Sequence, residues 1–212
     1  MPRPKTLPDK DVLDTAYRLM HRHGPEALTF STLAQACGLS ASTLVQRFKS
    51  KAKLVHSTLL YAWDGLDEKT ARFSAKVPKT PEGAIRLLTM LSQDYGGIEA
   101  YADALLILRE DLRDPSLRAR GAKWKSALSR ELDNCFAGTA RRPKDVGLLM
   151  ATQWQGSLLW WSFDPNGRVE DYVEENLKRF VAAILDTKSQ TTAREAALRA
   201  SSRSKPSRKR RR

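Results

Sequence analysis

The sequence predicts an all-α protein: a small N-terminal module of three short helices, then a larger helical bundle. Three observations carry this. Apolar residues recur three and four apart through most of residues 9–186, the spacing of one face of a helix. The segments that keep this spacing are parted by legible breaks at Gly24-Pro25, Gly38, Pro78 with Pro81, Gly96-Gly97, Asp114-Pro115, Arg142-Pro143 and Asp164-Pro165-Asn166-Gly167. No stretch alternates apolar and polar residues between hairpin turns, so strand signals are absent.

The first helix is expected from Asp9 to about His23, with Val12, Leu13, Ala16, Leu19 and Met20 on one face. Gly24-Pro25 stops it, the glycine turning the chain and the proline blocking continuation. Thr29 is placed to cap a second helix whose Phe30, Leu33, Ala34 and Cys37 face inward, its hydroxyl accepting a first-turn N–H. Gly38 follows that face directly, where a left-handed residue ends a helix at no steric cost. Leu39 folds back, Ser40 caps the next helix, and in Ala41–Phe48 the inward pair is Leu44 and Phe48. Ala41, Ser42, Val45 and Gln46 are left outward. Two short amphipathic helices across a glycine turn make the helix-turn-helix pattern. Gly38–Ser40 alone fits an ordinary helical hairpin equally well; the flanking helix 1 and the basic run Lys49-Ser50-Lys51-Ala52-Lys53 tip the balance.

A fourth helix is expected from about Lys51 into the seventies, with Leu54, Thr58, Tyr61 and Gly65 on one face and Leu59, Trp63 and Leu66 near another. Further helices are predicted at about 81–95, 99–111, 115–138, 143–162 and 168–186. The organisation that follows is a helix-turn-helix unit over 1–55 with a short basic arm, a helical domain over 56–186, and a disordered basic tail over 187–212.

Charge supports that division. The chain of 212 residues has a formal net charge of +13, unevenly placed: +5 in residues 1–55, −1 in 56–186 and +9 in 187–212. Positive charge gathered on two parts of a chain marks the parts that meet phosphate. The tail, rich in Ser, Thr and Arg and ending in Arg208-Lys209-Arg210-Arg211-Arg212, has too little apolar surface to fold, with Ala193–Ala200 transiently helical at most. It is read as a flexible arm that adds phosphate contacts, against the blander reading of a solvated extension. Removing residues 203–212 is then expected to weaken all DNA binding and lower its salt slope. Arg3 and Lys5, set among Pro2, Pro4 and Pro8, form a short arm placed, by analogy with homeodomain arms, to enter a minor groove.

Residues 9–60 as a whole resemble the DNA-binding domain of the TetR family of bacterial transcriptional repressors. The resemblance rests on Ala16, Leu19 and Gly24, on T-x-x-x-L-A at Thr29–Ala34, on A-x-G-L-S at Ala36–Ser40, on Thr43-Leu44, on F-K-S-K at Phe48–Lys51, and on Leu54. It implies base-edge positions at Ser31, Ala41, Ser42, Val45 and Gln46, and phosphate positions at Thr29, Thr43, Arg47 and Lys51, with Ser40 also at the DNA-binding turn. The chain departs from the family pattern at Val45, where an aromatic, most often Tyr, is usual. Ala41 and Val45 offer only apolar contact, and Gln46 is the base-facing residue suited to bidentate adenine recognition. Direct readout is therefore expected to be thin and phosphate neutralisation to carry much of the affinity.

In the bundle, Gly156 and Ser157 are small and central in the penultimate helix, flanked by Thr152, Trp160 and Phe163, and Val173, Leu177, Phe180, Val181 and Ile184 form a stripe on the last. The resemblance implies a four-helix dimer interface from this pair, through Thr152, Gly156, Trp160, Val173, Leu177, Phe180 and Ile184; the same stripe is equally what an intramolecular core requires. A palindromic operator needs two-fold partners in any case. Apolar pockets between bundle helices commonly hold ligands, and Met90, Leu105, Leu108, Trp124, Trp154, Leu158 and Trp161 are the candidate lining for a small apolar effector, although aromatics at this spacing more often form core.

Composition excludes other classes. No run of about 18 apolar residues indicates a membrane span, and the N-terminus lacks a secretory apolar region, so a cytoplasmic site is expected. Cys37 and Cys135 are too few and too far apart for a metal site, so no metal and no cofactor is expected and both are read as buried thiols. His21, His23 and His56 form no H-x-x-x-H pair, and neither a glycine-rich phosphate loop nor a G-x-S-x-G elbow is present; no enzyme is expected. The function expected is a sequence-specific DNA-binding regulator, a homodimeric repressor released from double-stranded operator DNA by an effector. The alternative is an architectural protein using the same motif and tail without selectivity.

Overall fold

The computed structural model describes residues 7–140 and 142–203, which form nine α-helices and no strand. The first three are α1 (Asp9–His23), α2 (Phe30–Cys37) and α3 (Ala41–Phe48). Then come α4 (Lys51–Ser74), α5 (Pro81–Ser92), α6 (Ile98–Arg113), α7 (Pro115–Cys135), α8 (Val146–Trp161) and α9 (Val169–Arg203). Short 3₁₀ turns at Pro25–Ala27 and Gln93–Tyr95 join their neighbours. Side-chain caps set several of the starts. Thr29 and Thr32 form a reciprocal capping box on α2, Ser40 caps α3, Ser50 caps α4, and Thr80 and Asp114 cap α5 and α7 ahead of prolines at the first helical position. Each such oxygen satisfies a backbone donor that the helix itself leaves orphaned.

Two apolar cores meet along α4. The N-terminal one joins Val12, Ala16 and Met20 of α1 to Leu33, Leu44, Phe48, Leu54 and Leu59, and extends to Ile107 of α6 and Leu117 of α7. The second packs Leu87 and Leu88 of α5, Leu128 and Leu132 of α7, Met150, Trp154 and Leu158 of α8, and Val173 and Leu177 of α9. Trp63 lies against both. The boundary expected at residue 55 therefore falls inside a continuous helix, because nothing between Lys51 and Ser74 breaks helical phase.

Helix directions follow from paired residues. Helices α4 and α7 leave the N-terminal module side by side: Trp63 closes on Gly121, Trp124 donates to Thr70 at 3.1 Å, and Ser74 bonds Glu131. Helix α8 starts at the far end, where Gly147 N–H donates to Asp133 at 2.8 Å, and returns toward the module. Helix α5 runs alongside it, with Trp154 Nε1 donating to Ser92 at 2.8 Å. Turn bonds over residues 161–166 reverse the chain tightly, so α9 leads away from the module again. It continues to Arg203, past the boundary at 186 where the tail was expected to begin. No Gly or Pro lies between Val169 and Arg203, and Ala193–Ala200 is rich in helix formers. Residues 204–212 lie outside the described residues.

One buried acid ties module to bundle. Asp111 of α6 is 8% exposed and accepts the Trp63 indole N–H at 3.0 Å. Burial pushes its carboxyl above the ordinary value, the Trp63 bond opposing and Asp114 reinforcing the shift. A carboxyl whose folded value is raised contributes stability below its unfolded value and loses it as pH rises through the folded value. Asp111→Asn keeps an acceptor for Trp63 and removes the charge. It is expected to raise the thermal midpoint at neutral pH, with the gain vanishing in acid; melts across pH check this, and a gain independent of pH would assign it to something other than the buried charge.

Candidate nucleic-acid interface

Gly38 takes the left-handed conformation (φ 66°, ψ 33°) and swings the chain from α2 into α3. Leu44 is fully buried and Phe48 nearly so, which fixes the roll of α3 and turns Ala41, Ser42, Val45 and Gln46 outward, all exposed. Val45 is 43% exposed, a large apolar side chain held in water on a helix otherwise anchored by two residues. Ser31 is also exposed, at the start of α2. Ser40 Oγ is occupied by capping, accepting Thr43 N–H at 3.1 Å and contacting the Ser42 and Thr43 hydroxyls at 2.8 Å each. Thr29 is likewise committed to Thr32 N–H at 3.0 Å.

The two cations expected at phosphates are engaged within the protein. Arg47 is half-buried and donates to the Leu7 carbonyl at 2.6 Å and to Asp9 at 3.2 Å, tying α3 to the chain entering α1. Lys51 pairs with Glu26 at 3.1 Å and donates to its carbonyl at 3.3 Å. Lys51 and Glu26 are both exposed, so that pair is weak and exchangeable; the Arg47 tether is more sheltered. Arg47→Met is expected to cost about 1 kcal/mol in denaturant unfolding while leaving the salt slope of DNA binding unchanged. A slope reduced by about 1 would instead put Arg47 on a phosphate.

Sequence reasoning left Lys49 and Lys53 unassigned, and both are exposed beside the end of α3. Lys49 ends α3 at φ 66°, ψ −43°, a conformation costing a non-glycine residue about 1–3 kcal/mol. Lys53 sits in the first turn of α4, where backbone N–H groups and the helix dipole favour an anion. The run Lys49–Lys53 was the available signal. Arg3 and Lys5 lie outside the described residues.

The seven residues expected to line an effector pocket do not come together. Leu105 and Leu108 are 40% and 42% exposed on the outer side of α6, because that helix buries Tyr101, Ile107 and Asp111 instead. Trp124, Trp154, Leu158 and Trp161 are buried, with Trp124 and Trp154 ring centroids 6.3 Å apart, and Met90 packs at their edge; these five fill space in the core. The Trp161 indole N–H and the Thr89 hydroxyl are buried with no hydrogen-bonding partner. Open clefts lie elsewhere. One of about 650 Å³ between module and bundle includes Glu26, Lys51, His56 and Arg113. Another of about 560 Å³ along α4 and α7 includes Ser74, Lys79, Arg130 and Glu131.

The expected dimer residues also divide. Val173 and Leu177 are fully buried in the chain's own core, which corrects their assignment: they are the face of α9 that packs on α5 and α8. Phe180 and Ile184 are half-buried against the same core. Thr152 is exposed, Gly156 has open space beyond its Cα, and Trp160 is 67% exposed. Leu148, Leu149, Leu159 and Phe163 join them on an uncovered apolar surface. The signal for these was present: α8 is apolar nearly all round, and such a helix needs partners on both sides.

A capped two-helix hairpin with an outward α3 and adjacent cations, carried on a helical bundle, defines a DNA-binding transcriptional regulator of the helix-turn-helix class. Residues 12–58 match the bacterial regulatory proteins of the tetR family. That match is confined to the N-terminal module. No curated protein matches the chain, whereas many solved structures share its fold. A transcriptional regulator from Saccharomonospora viridis in complex with choline is 18% identical, with a TM-score of 0.64 over 82% of this chain and 95% of that one. PfmR, a TetR-family regulator from Thermus thermophilus, is 22% identical, with a TM-score of 0.56 over 79% and 94%. AibR, in complex with isovaleryl coenzyme A and operator DNA, is 21% identical, with a TM-score of 0.57 over 79% and 95%. Among the described residues no helix is long and apolar enough to cross a membrane.

Proposed function

We propose that the protein is a cytoplasmic homodimeric repressor that reads a palindromic operator and is released from it by a small effector. The exposed α3 face carries the reading: Ala41, Ser42, Val45 and Gln46 are turned outward together by the burial of Leu44 and Phe48. Gln46 addresses an adenine edge and Val45 a thymine methyl. Lys49, Lys53 and, once freed from Glu26, Lys51 neutralise flanking phosphates, and the Thr43 hydroxyl hydrogen-bonds one. The uncovered α8 face supplies the two-fold contact. Structural relatives bind choline or isovaleryl coenzyme A, which supports an effector site in the bundle. Release needs only differential affinity for two states; about 5.5 kcal/mol moves a population from 1:99 to 99:1.

Selection of binding sites from a random duplex library, followed by competition of the selected site against bulk DNA at fixed salt, tests the reading. A specificity ratio near one would sink it in favour of nonselective coating of DNA. Gln46→Ala is expected to cost roughly 1–3 kcal/mol on the selected site alone; an equal loss on every sequence would move Gln46 to the phosphates.

A further inference from the structure

Helix α6 carries an apolar face that the rest of the chain leaves bare. It turns Tyr101, Ile107 and Asp111 inward and packs on α1 and α7, while Leu105, Leu106 and Leu112 are 40%, 48% and 59% exposed. The outward residues repeat at a spacing of seven, as Ile98-Glu99, Leu105-Leu106 and Leu112-Arg113. That spacing is close to two helical turns, so the three pairs lie on one face at steps of about 10 Å. Ile98 is half-buried and the other five are exposed. The outer pairs hold charges of opposite sign and the central pair holds none. Glu99 and Arg113 stand in the first and last turns, where their signs suit the helix dipole. The dipole does not account for two bare leucines side by side between them.

We propose that α6 pairs antiparallel with α6 of a second copy of this chain, about a two-fold axis at Leu105-Leu106, as a contact separate from that of α8. A second copy is the occupant that the charge pattern fits. Turned end for end, the face matches itself: the central leucines meet their own counterparts, Ile98 meets Leu112 of the second copy, and Glu99 meets Arg113 of the second copy. In a two-fold contact each such pairing is made twice. Ala102, small and exposed, lets the stem of Arg109 of the second copy lie close, and antiparallel helices set their dipoles head to tail. Within the chain Arg113 reaches only Glu110, at 3.9 Å, and Glu110 is already paired with Arg109 at 3.1 Å, so Arg113 exchanges partners readily. The face is short beside the roughly 20–30 residues a side of a stable interface. It therefore joins dimers at high concentration and leaves dilute protein unassociated through α6. The contact does not depend on the operator-binding reading.

Sedimentation velocity of the full chain, from micromolar toward millimolar concentration, reads the contact as association beyond the dimer. Glu99→Arg and Arg113→Glu are each expected to weaken that association at least about tenfold, because like charges then face each other on both sides of the axis. The double variant swaps the signs and is expected to recover the association to within about threefold. A second measurement does not rest on charge. Under a mild oxidant Leu105→Cys is expected to link to its own counterpart across the axis, whereas Leu112→Cys, about 20 Å from its counterpart, is not. The native Cys37 and Cys135 are buried and stay out of the reaction. Association absent at every concentration, a double variant no stronger than the single ones, or Leu112→Cys linking as readily as Leu105→Cys overturns the proposal. Association that all three charge variants keep in full overturns it in favour of another surface.

Discussion

Trp160→Glu is expected to convert the proposed dimer to monomers and to lower affinity for the proposed operator by about 10²–10⁴-fold, the factor that linking two half-site contacts contributes. Trp160 and Phe163 are 67% and 75% exposed in the single chain, stacked on each other with ring centroids 5.8 Å apart. Leu149, Thr152, Gly156, Trp160 and Phe163 fall three and four apart along and just past α8, one face of the helix. Apolar surface of that extent on a chain of this size calls for a partner, and a carboxylate buried there without a counter-charge is costly. Sedimentation and an operator titration read the two effects together. Trp160→Phe, which keeps the ring, is expected to remain dimeric. A Trp160→Glu protein that stays dimeric at full affinity would move the two-fold contact off α8.

Gly147→Ala is expected to destabilise the protein by about 3 kcal/mol, toward the upper end for overpacking, which lowers the thermal midpoint by roughly 6–12 °C in a chain of this length. A Cβ there would sit 1.9 Å from the Ser129 carbonyl oxygen and 2.8 Å from the Asp133 nitrogen. Both are backbone atoms and cannot rotate aside. Helices α7 and α8 would have to separate, opening the core beside Leu132 and Met150, and the Gly147–Asp133 bond would be lost with them. Gly65→Ala provides the contrast: Gly65 lies in α4 with nothing within 4 Å of its added Cβ, and the change is expected to gain up to about 1 kcal/mol. Thermal melts of the two variants decide; equal midpoints would mean the α7–α8 contact is looser than its geometry.

What was legible in the sequence was local. Thr29, Gly38 and Ser40 act on residues within four positions of themselves, so their caps and turn are written in the order of the chain, and α2 and the start of α3 fall where those residues place them. The inward set Leu33, Leu44 and Phe48 follows from helical period alone. Long-range pairing was not legible. Arg47 was read as a phosphate ligand, yet its partners Leu7 and Asp9 are about forty positions away, and nothing in Gln46-Arg47-Phe48 announces them. Leu105 and Leu108 stand as pocket candidates because apolar pockets between bundle helices commonly hold ligands, and period does not say which side of α6 faces in. Val173 and Leu177 stand as dimer contacts only through the family resemblance, with an intramolecular core equally open: a stripe reveals that something covers it, not whether the cover is the same chain. The length of α9 was missed because composition argued for a solvated tail, while the absence of any Gly or Pro before Pro206 argued for continuation.

Trp63 lies against both cores, and its indole is bonded to Asp111 on a third helix. A chimera that grafts this reading head onto another regulator by cutting near residue 55 would strand Leu59 and leave Ile107 and Leu117 without their counterparts. Exchange of specificity between relatives is therefore expected to succeed only when the whole of α4 travels with the head and the recipient supplies an α6 acid and an α7 leucine at the matching positions.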